Sequence, residues 1–348
     1  MQLTRRSMMT SALALGAMQL FPGITQAQAK RIVFATFTGS WEEAHRDVLV
    51  PAYRKATSNA EIVLDPMLSV DQIAKVTAAR ANPPIDVMLH DPGPALVAIG
   101  NDLTEPYPVD KSAYYKDLIA EAQDPAGPAG FFQVVGLTYN PAKIKKPPTS
   151  WEDLWKPEFK GKVGITNLNS TLGTGFLVEI ARMHGGSEAN ADPGFKAIEA
   201  LKPSISAVAA NPGQLATLFQ QGQIDISPGN FNAIQIMKAR GVAVEFVAPK
   251  EKAIAFKTTF HIVKNTGAKE LAFALIEAAL SPEVQGKLME SPYLIVPTNT
   301  KVKMGGEIAK VLAKDHADMK NKFVFQDWKK INDQRSAWIE RFNREIKV

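Results

Sequence analysis

The sequence predicts two doubly wound α/β domains joined by a two-strand hinge. Three observations lead there. From residue 31 on, short apolar runs alternate with segments of helical periodicity, the pattern of βαβ units on a mainly parallel sheet. The alternation starts afresh near Gln133. Finally, the stretches at residues 135–140 and 256–261 carry the chain from one set to the other and back, and two such crossings make a hinge between closing domains. With 348 residues, 45% hydrophobic, the chain is long enough for two cores.

The elements follow in order. Residues 31–37 are an apolar run and read as a strand. Residues 41–57 read as a helix closed by Thr57-Ser58-Asn59, and residues 60–66 as a second strand. Val70, Ile73, Ala74, Val76 and Thr77 fall on one helical face, and Asn82-Pro83-Pro84 ends that helix. Residues 85–89 form a third strand before His90-Asp91-Pro92-Gly93. In the second set, residues 133–139 are a strand. Ser150 is an N-cap with Asp153 in capping-box position. Residues 162–166, 224–227, 242–247 and 258–263 are further strands, and residues 173–184 and 268–280 are helices. Beyond Phe323, Trp328, Ile331, Trp338, Ile339, Phe342 and Ile346 recur every three to four residues, the apolar face of a C-terminal helix packed on a core.

Composition excludes several functions. There is no cysteine, hence no thiolate zinc site, iron–sulfur cluster, cysteine nucleophile or lipidated N-terminal cysteine. Arg5 and Arg6, an apolar stretch over residues 11–24 and Ala27-Gln28-Ala29 make up an export signal, twin-arginine-like or general secretory, cleaved after Ala29. Its loss brings the net charge from +5 to about +3. No basic block is interleaved with aromatics, so no nucleic-acid partner is expected. The expected product is a soluble periplasmic protein without cofactor or metal, acting as a monomer.

The run PPTSWEDLWKPEFKGKV at residues 147–163, preceded by GLTYN at 136–140, resembles the spermidine/putrescine-type solute-binding proteins of ABC importers, which are type II periplasmic binding proteins. The resemblance continues through GQID at 222–225, VAPKE at 247–251 and ALSPE at 279–283, and reaches PTN at 297–299. It implies two α/β domains, 30–136 with 257–300 and 137–256 with 301–348, that close on a small-molecule solute and deliver it to an ABC permease.

Ligands of doubly wound sheets lie beyond the carboxyl ends of the strands, where helix N-termini offer unpaired N–H groups and positive dipole ends. That selects five segments. Thr38, Gly39, Ser40 and Trp41 follow the first strand; Ser40 is placed to donate or to cap, Trp41 to stack on a solute or to enter the core. Ser170, Thr171 and Gly173 repeat the same order of strand, polar turn, glycine and helix. Asn230, Phe231 and Asn232 follow the strand at 224–227. Thr258 and Thr259 sit at the return crossing. Asp91, at a strand's carboxyl end, either holds an ammonium group or caps the next helix.

Polyamine binders of the resembling family tend to show Trp and Asp in the third of these segments and Asp in the fourth. This chain has Asn230, Phe231, Asn232, Thr258 and Thr259 there. A buried dication needs convergent carboxylates. Amides and hydroxyls favour a solute bearing a carboxylate or phosphonate, with one amine held by Asp91: an amino-acid-like molecule such as 4-aminobutyrate, or an organic acid. Putrescine or spermidine is the alternative. Ferric iron would need paired tyrosines, and Tyr114-Tyr115 lies in the first half of the chain. An enzyme on this fold is the reading of another class, but the sequence holds no nucleophile elbow, HExxH or Walker A. His45, His90, His184, His261 and His316 are scattered and read as surface or capped histidines.

Overall fold

The computed structural model describes residues 31–347, so the expected export signal lies outside the described residues. The chain enters as strand β1 (Arg31–Thr36). After Gly39 it continues as a helix in three parts: α1 (Ser40–Ala44), a π-helical turn (His45–Leu49) and α2 (Val50–Ala56). Pro51 has no N–H for the ladder, which accords with its place just beyond the π turn. Then come β2 (Glu61–Pro66), α3 (Ser69–Ala78), β3 (Val87–His90), α4 (Pro92–Gly100) and a short β4 (Thr104–Glu105). The long β5 (Ala129–Tyr139) leads into the second set: β6 (Val163–Thr166), α5 (Thr171–Met183), α6 (Asp192–Leu201), β7 (Ile205–Ala209), α7 (Pro212–Gln220), β8 (Ile226–Asn230), α8 (Phe231–Ala239) and β9 (Glu245–Val247). The return strand β10 (Ala253–Val263) is followed by α9 (Lys269–Leu280), α10 (Pro282–Met289), β11 (Val296–Pro297), α11 (Gly306–Val311), α12 (Met319–Lys322), β12 (Phe323–Val324) and α13 (Trp328–Glu345).

The sheet runs β2-β1-β3-β10-β5-β8-β6-β7, with β4 and β12 also on β10, and β9 and β11 also on β5. β1, β2 and β3 are mutually parallel, as are β6, β7 and β8. The two sets meet through β5 and β10, which are antiparallel to each other. β10 pairs β3 through residues 259–262 and β5 through residues 254–259. β5 in turn pairs β8 through residues 135–139. Each of these 11-residue strands therefore serves both sets. Both begin several residues earlier than the sequence predicts. A Cβ on Gly130 would lie 2.6 Å from the Phe260 ring: the glycine makes room for a cross-strand aromatic within the sheet.

Two main groups of buried side chains back this sheet. Ile32, Phe34, Leu89, Phe131, Phe260 and Leu275 belong to the first, which also takes in Leu215, Phe219, Phe231 and Phe246 of the second set; Leu137, Trp151, Ile165, Leu177, Phe256, Trp338 and Phe342 belong to the second. Each such side chain contributes about 1.5–3 kcal/mol through burial. The segment after residue 300, expected wholly in the second domain, divides. Met304, Ile308, Leu312, Met319 and Phe323 pack in the first group, Lys320 pairs with Glu121, and Phe325 meets Phe132. Only from Trp328 does the chain join the second group.

The capping box predicted at Ser150 and Asp153 is present, on a 3-10 turn (Trp151–Trp155). It explains why two distant stretches of the resemblance occur together. Glu251 accepts from the Ser150 hydroxyl at 2.5 Å and from the Trp151 N–H at 3.3 Å, and the Trp151 indole donates to the Lys252 carbonyl at 3.2 Å.

Candidate functional site

The three parallel strands of each set deliver their carboxyl ends to one cavity between the two sets. Thr38 follows β1, Ser69 follows β2 and Asp91 follows β3. Asn169, Ser170 and Thr171 follow β6, Asn211 and Gly213 follow β7, and Asn230 ends β8. Gln133 of β5 and Phe256 of β10 complete the lining from the hinge strands, and Phe37, Trp41, Leu68, Val70, Pro94, Leu172 and Pro212 supply apolar wall. The space is about 100 Å³, room for roughly three water molecules at ~30 Å³ each.

Trp41 reaches this wall because β1 ends in a tight turn. Gly39 has φ of 71°, a left-handed conformation that favours glycine. Trp41 then packs edge-on to Phe37 (6.0 Å between ring centres) and against Phe131 (5.9 Å). Behind it the fully buried His45 bonds the Thr36 hydroxyl at 2.6 Å.

Asp91 is the one ionisable side chain in the lining. It occupies the N-cap position of α4, yet its side chain makes no capping bond. The carboxylate accepts from Gln133 Nε2 at 2.7 Å. Burial pushes its pKa up, opposed by the nearby Thr171 hydroxyl, by Gln133 and by the charge of Arg335. Gln133 also donates to the Thr258 hydroxyl at 3.1 Å and accepts from Asn230 Nδ2 at 3.4 Å, so one amide ties both hinge strands to both walls.

The other polar lining is neutral. α3, α5 and α8 begin at the cavity with no side-chain cap on their first N–H groups. At α7, Asn211 does cap, accepting from the Gln214 N–H at 2.9 Å. Several helix N-termini thus surround a single carboxylate. That combination is able to hold an anionic group at one end and an ammonium at the other.

Of the residues singled out in the sequence, Thr38, Trp41, Asp91, Ser170, Thr171 and Asn230 line the cavity. The others do not. Gly39 and Ser40 shape the turn, and Ser40 is the first helical residue, making no cap. Gly173 approaches backbone instead of ligand: a Cβ there would lie 2.2 Å from the Asn167 carbonyl oxygen. Phe231 packs on Phe246 in the core (5.1 Å), and Asn232 is buried in the first turn of α8. Thr258 and Thr259 lie within β10, where successive side chains face opposite ways. Thr258 serves Gln133, whereas Thr259 donates to the His90 carbonyl and meets His261. Neither Tyr114 nor Tyr115 reaches the cavity, and among the described residues no three His, Cys, Asp or Glu are grouped to hold a metal. His45, His90 and His261 are fully buried rather than surface groups.

Sequence reasoning missed Gln133, Ser69, Asn211, Gly213 and Arg335. Asn211-Pro212 is an N-cap followed by an N1 proline directly after a strand, the same signal used elsewhere in the chain. Gln133 stands as a polar residue in an otherwise apolar run. Nothing local marks Arg335, which donates to the Asn169 carbonyl at 2.9 Å and the Leu168 carbonyl at 3.2 Å from the C-terminal helix.

Paired α/β halves hinged on two shared strands, with the cavity at the strand ends between them, are the type II periplasmic binding protein fold. The chain belongs to the bacterial extracellular solute-binding protein family, whose model matches residues 49–320. It is 26% identical over 208 residues to the spermidine/putrescine-binding periplasmic protein of Escherichia coli K12, covering 58% of this chain and 57% of that protein. It is 24% identical over 227 residues to a Salmonella typhimurium LT2 protein bearing the name "Putative 2-aminoethylphosphonate-binding periplasmic protein", covering 64% of each. Both matches thus span less than two thirds of the relative. A crystal structure of an ABC transporter from Clostridium perfringens ATCC 13124 superposes with a TM-score of 0.72 at 26% identity, over 91% of this chain and all of that one.

Proposed function

We propose that this protein is the periplasmic receptor of an ABC importer, closing its two domains on a small zwitterion with an amine and a carboxylate or phosphonate, and passing it to the permease. The observation that carries the solute class is the lining: one carboxylate, Asp91, among hydroxyls, amides and helix N-termini. A short ω-amino acid such as 4-aminobutyrate, or 2-aminoethylphosphonate, has the matching ends and suits about 100 Å³. The relatives' names bracket the same chemistry, an amine with and without an anionic end. A diamine or polyamine would leave an ammonium without a carboxylate in this cavity, which is unfavourable away from water.

The same reading puts the domain boundaries within β5 and β10, with residues 30–136, 257–300 and the stretch to Phe325, where Lys320 pairs with Glu121 and Phe325 meets Phe132, in the first domain and residues 137–256 and α13 in the second. It assigns a binding role and no catalysis, because Asp91 is the single titratable group in the lining and the buried histidines face elsewhere. Export by the N-terminal signal, a soluble life in the periplasm and action as a monomer belong to the same proposal. Among the described residues no helix is long and apolar enough to cross a membrane.

A thermal-shift screen of the mature chain tests it. A solute at about 100 times its Kd adds about 2.7 kcal/mol to stability. Stabilisation by 2-aminoethylphosphonate or 4-aminobutyrate is expected. Stabilisation by putrescine and spermidine alone would overturn the solute class and leave the receptor role standing. Turnover of a solute would overturn the receptor role.

A further inference from the structure

The C-terminal helix α13 lies beyond the residues that the family model matches, yet one of its faces touches both walls of the cavity. Trp328, Asn332 and Arg335 are spaced by four and three residues, so they share that face. At the first wall, Asn332 Nδ2 donates to the Gly93 carbonyl at 2.8 Å, two residues past Asp91. The Trp328 ring presses on Gly93 so closely that a Cβ there would meet it at 2.7 Å. At the second wall, Arg335 donates three hydrogen bonds into the turn that opens α5: to the Leu168 carbonyl at 3.2 Å, the Asn169 carbonyl at 2.9 Å and the Thr174 hydroxyl at 3.2 Å. Thr174 in turn donates to the Leu168 carbonyl at 2.7 Å. The guanidinium also lies over the Trp328 ring, 5.7 Å from its centre.

We infer that Arg335 is a specificity-determining positioning residue, which holds the 168–171 turn in its anion-accepting form and sets a fixed positive charge behind the cavity against dications. This rests on the zwitterion reading above. Two physical effects support it. Carbonyls 168 and 169 are engaged by the guanidinium, which offsets their negative ends beside the start of α5 and favours an anionic group at that helix N-terminus. A unit positive charge near Asp91 also offsets part of the attraction this carboxylate offers, a loss that a second ammonium feels and a carboxylate or phosphonate does not. Because α13 also grips Gly93, the same helix ties this turn to the wall that carries Asp91.

The test compares wild type, Arg335→Met and Arg335→Lys, each shown by circular dichroism and melting to be folded. Dissociation constants for 2-aminoethylphosphonate and for putrescine are measured by calorimetry. Arg335→Met is expected to weaken 2-aminoethylphosphonate by at least about tenfold, the lower end for lost charged hydrogen bonds, while putrescine affinity holds or rises. Arg335→Lys, which keeps the charge without the three-pronged geometry, is expected to recover part of the preference. An equal loss for both solutes would mark a merely structural residue and overturn the inference, as would no change for either. A wild-type protein that binds putrescine and not the zwitterion overturns the solute reading and this inference with it. Wild-type binding of the zwitterion with an unmoved ratio in the variants overturns this inference alone.

Discussion

Asp91→Asn separates binding from folding in a way that a structural residue would not. The substitution removes one charge and keeps the shape. An amide oxygen at the same place can still accept from Gln133 Nε2, which lies 2.7 Å from the wild-type carboxylate. What is lost is the partner of the solute's ammonium. A pair at contact is worth about 4 kcal/mol at an effective dielectric near 20, and removing one member of a hydrogen-bonded charge pair typically costs about 2–5 kcal/mol. That is a weakening of about 30- to 5,000-fold. Folding should move the other way. Burial pushes the Asp91 pKa up, so the folded chain disfavours the ionised form that prevails at neutral pH. The neutral amide removes that penalty, and the melting temperature without added solute is expected to hold or rise. Calorimetric titration with an amine-bearing solute, beside a melting curve, reads both effects. The wild type should also lose amine affinity on acidification, beginning above the ordinary aspartate value of about 3.9, and the variant should lack that dependence. Affinity within threefold of wild type, or a melting temperature several degrees lower, would refute the assignment.

Two further outcomes follow from buried groups. His45 is held down to about 3 and His261 to about 4 by burial, and His90 is lowered well below its ordinary value by burial and by the neighbouring His261. Below pH 6.5 the unfolded chain takes up protons at these sites and the folded chain does not, so stability falls as pH drops from about 6.5 toward about 4. At pH 5 His45 and His261 each cost about 2 kcal/mol. Urea midpoints at pH 7 and pH 5 measure this; a flat profile would show that the histidines are not buried as described. Gly173→Ala should cost about 1–3 kcal/mol by overpacking, because its Cβ would meet the backbone oxygens of Asn167 at 2.2 Å and Thr166 at 2.6 Å. Since that contact locks the start of α5, solute affinity should fall along with the urea midpoint, and a variant as stable as wild type would disprove the close approach.

The sequence by itself determined the alternation of strands and helices, the two crossings of the hinge, the capping box at Ser150 and the C-terminal helix, because each is written in local periodicity or local hydrogen bonding. It also led to the strand ends where Thr38, Asp91, Ser170, Thr171 and Asn230 meet, since helix N-termini beyond parallel strands are where such folds gather polar groups. Tertiary structure alone decided which way each side chain faces. Thr258 and Thr259 are neighbours in sequence but lie on opposite sides of β10, and Gly173 meets a carbonyl rather than a cavity. It alone decided that Asp91 is spared from capping and held by Gln133. Above all, it brought Arg335 from the last helix to a turn that begins at residue 168. A charge that acts through a contact so distant along the chain leaves no periodicity and no spacing to read. Only the packing of α13 across both walls puts it there.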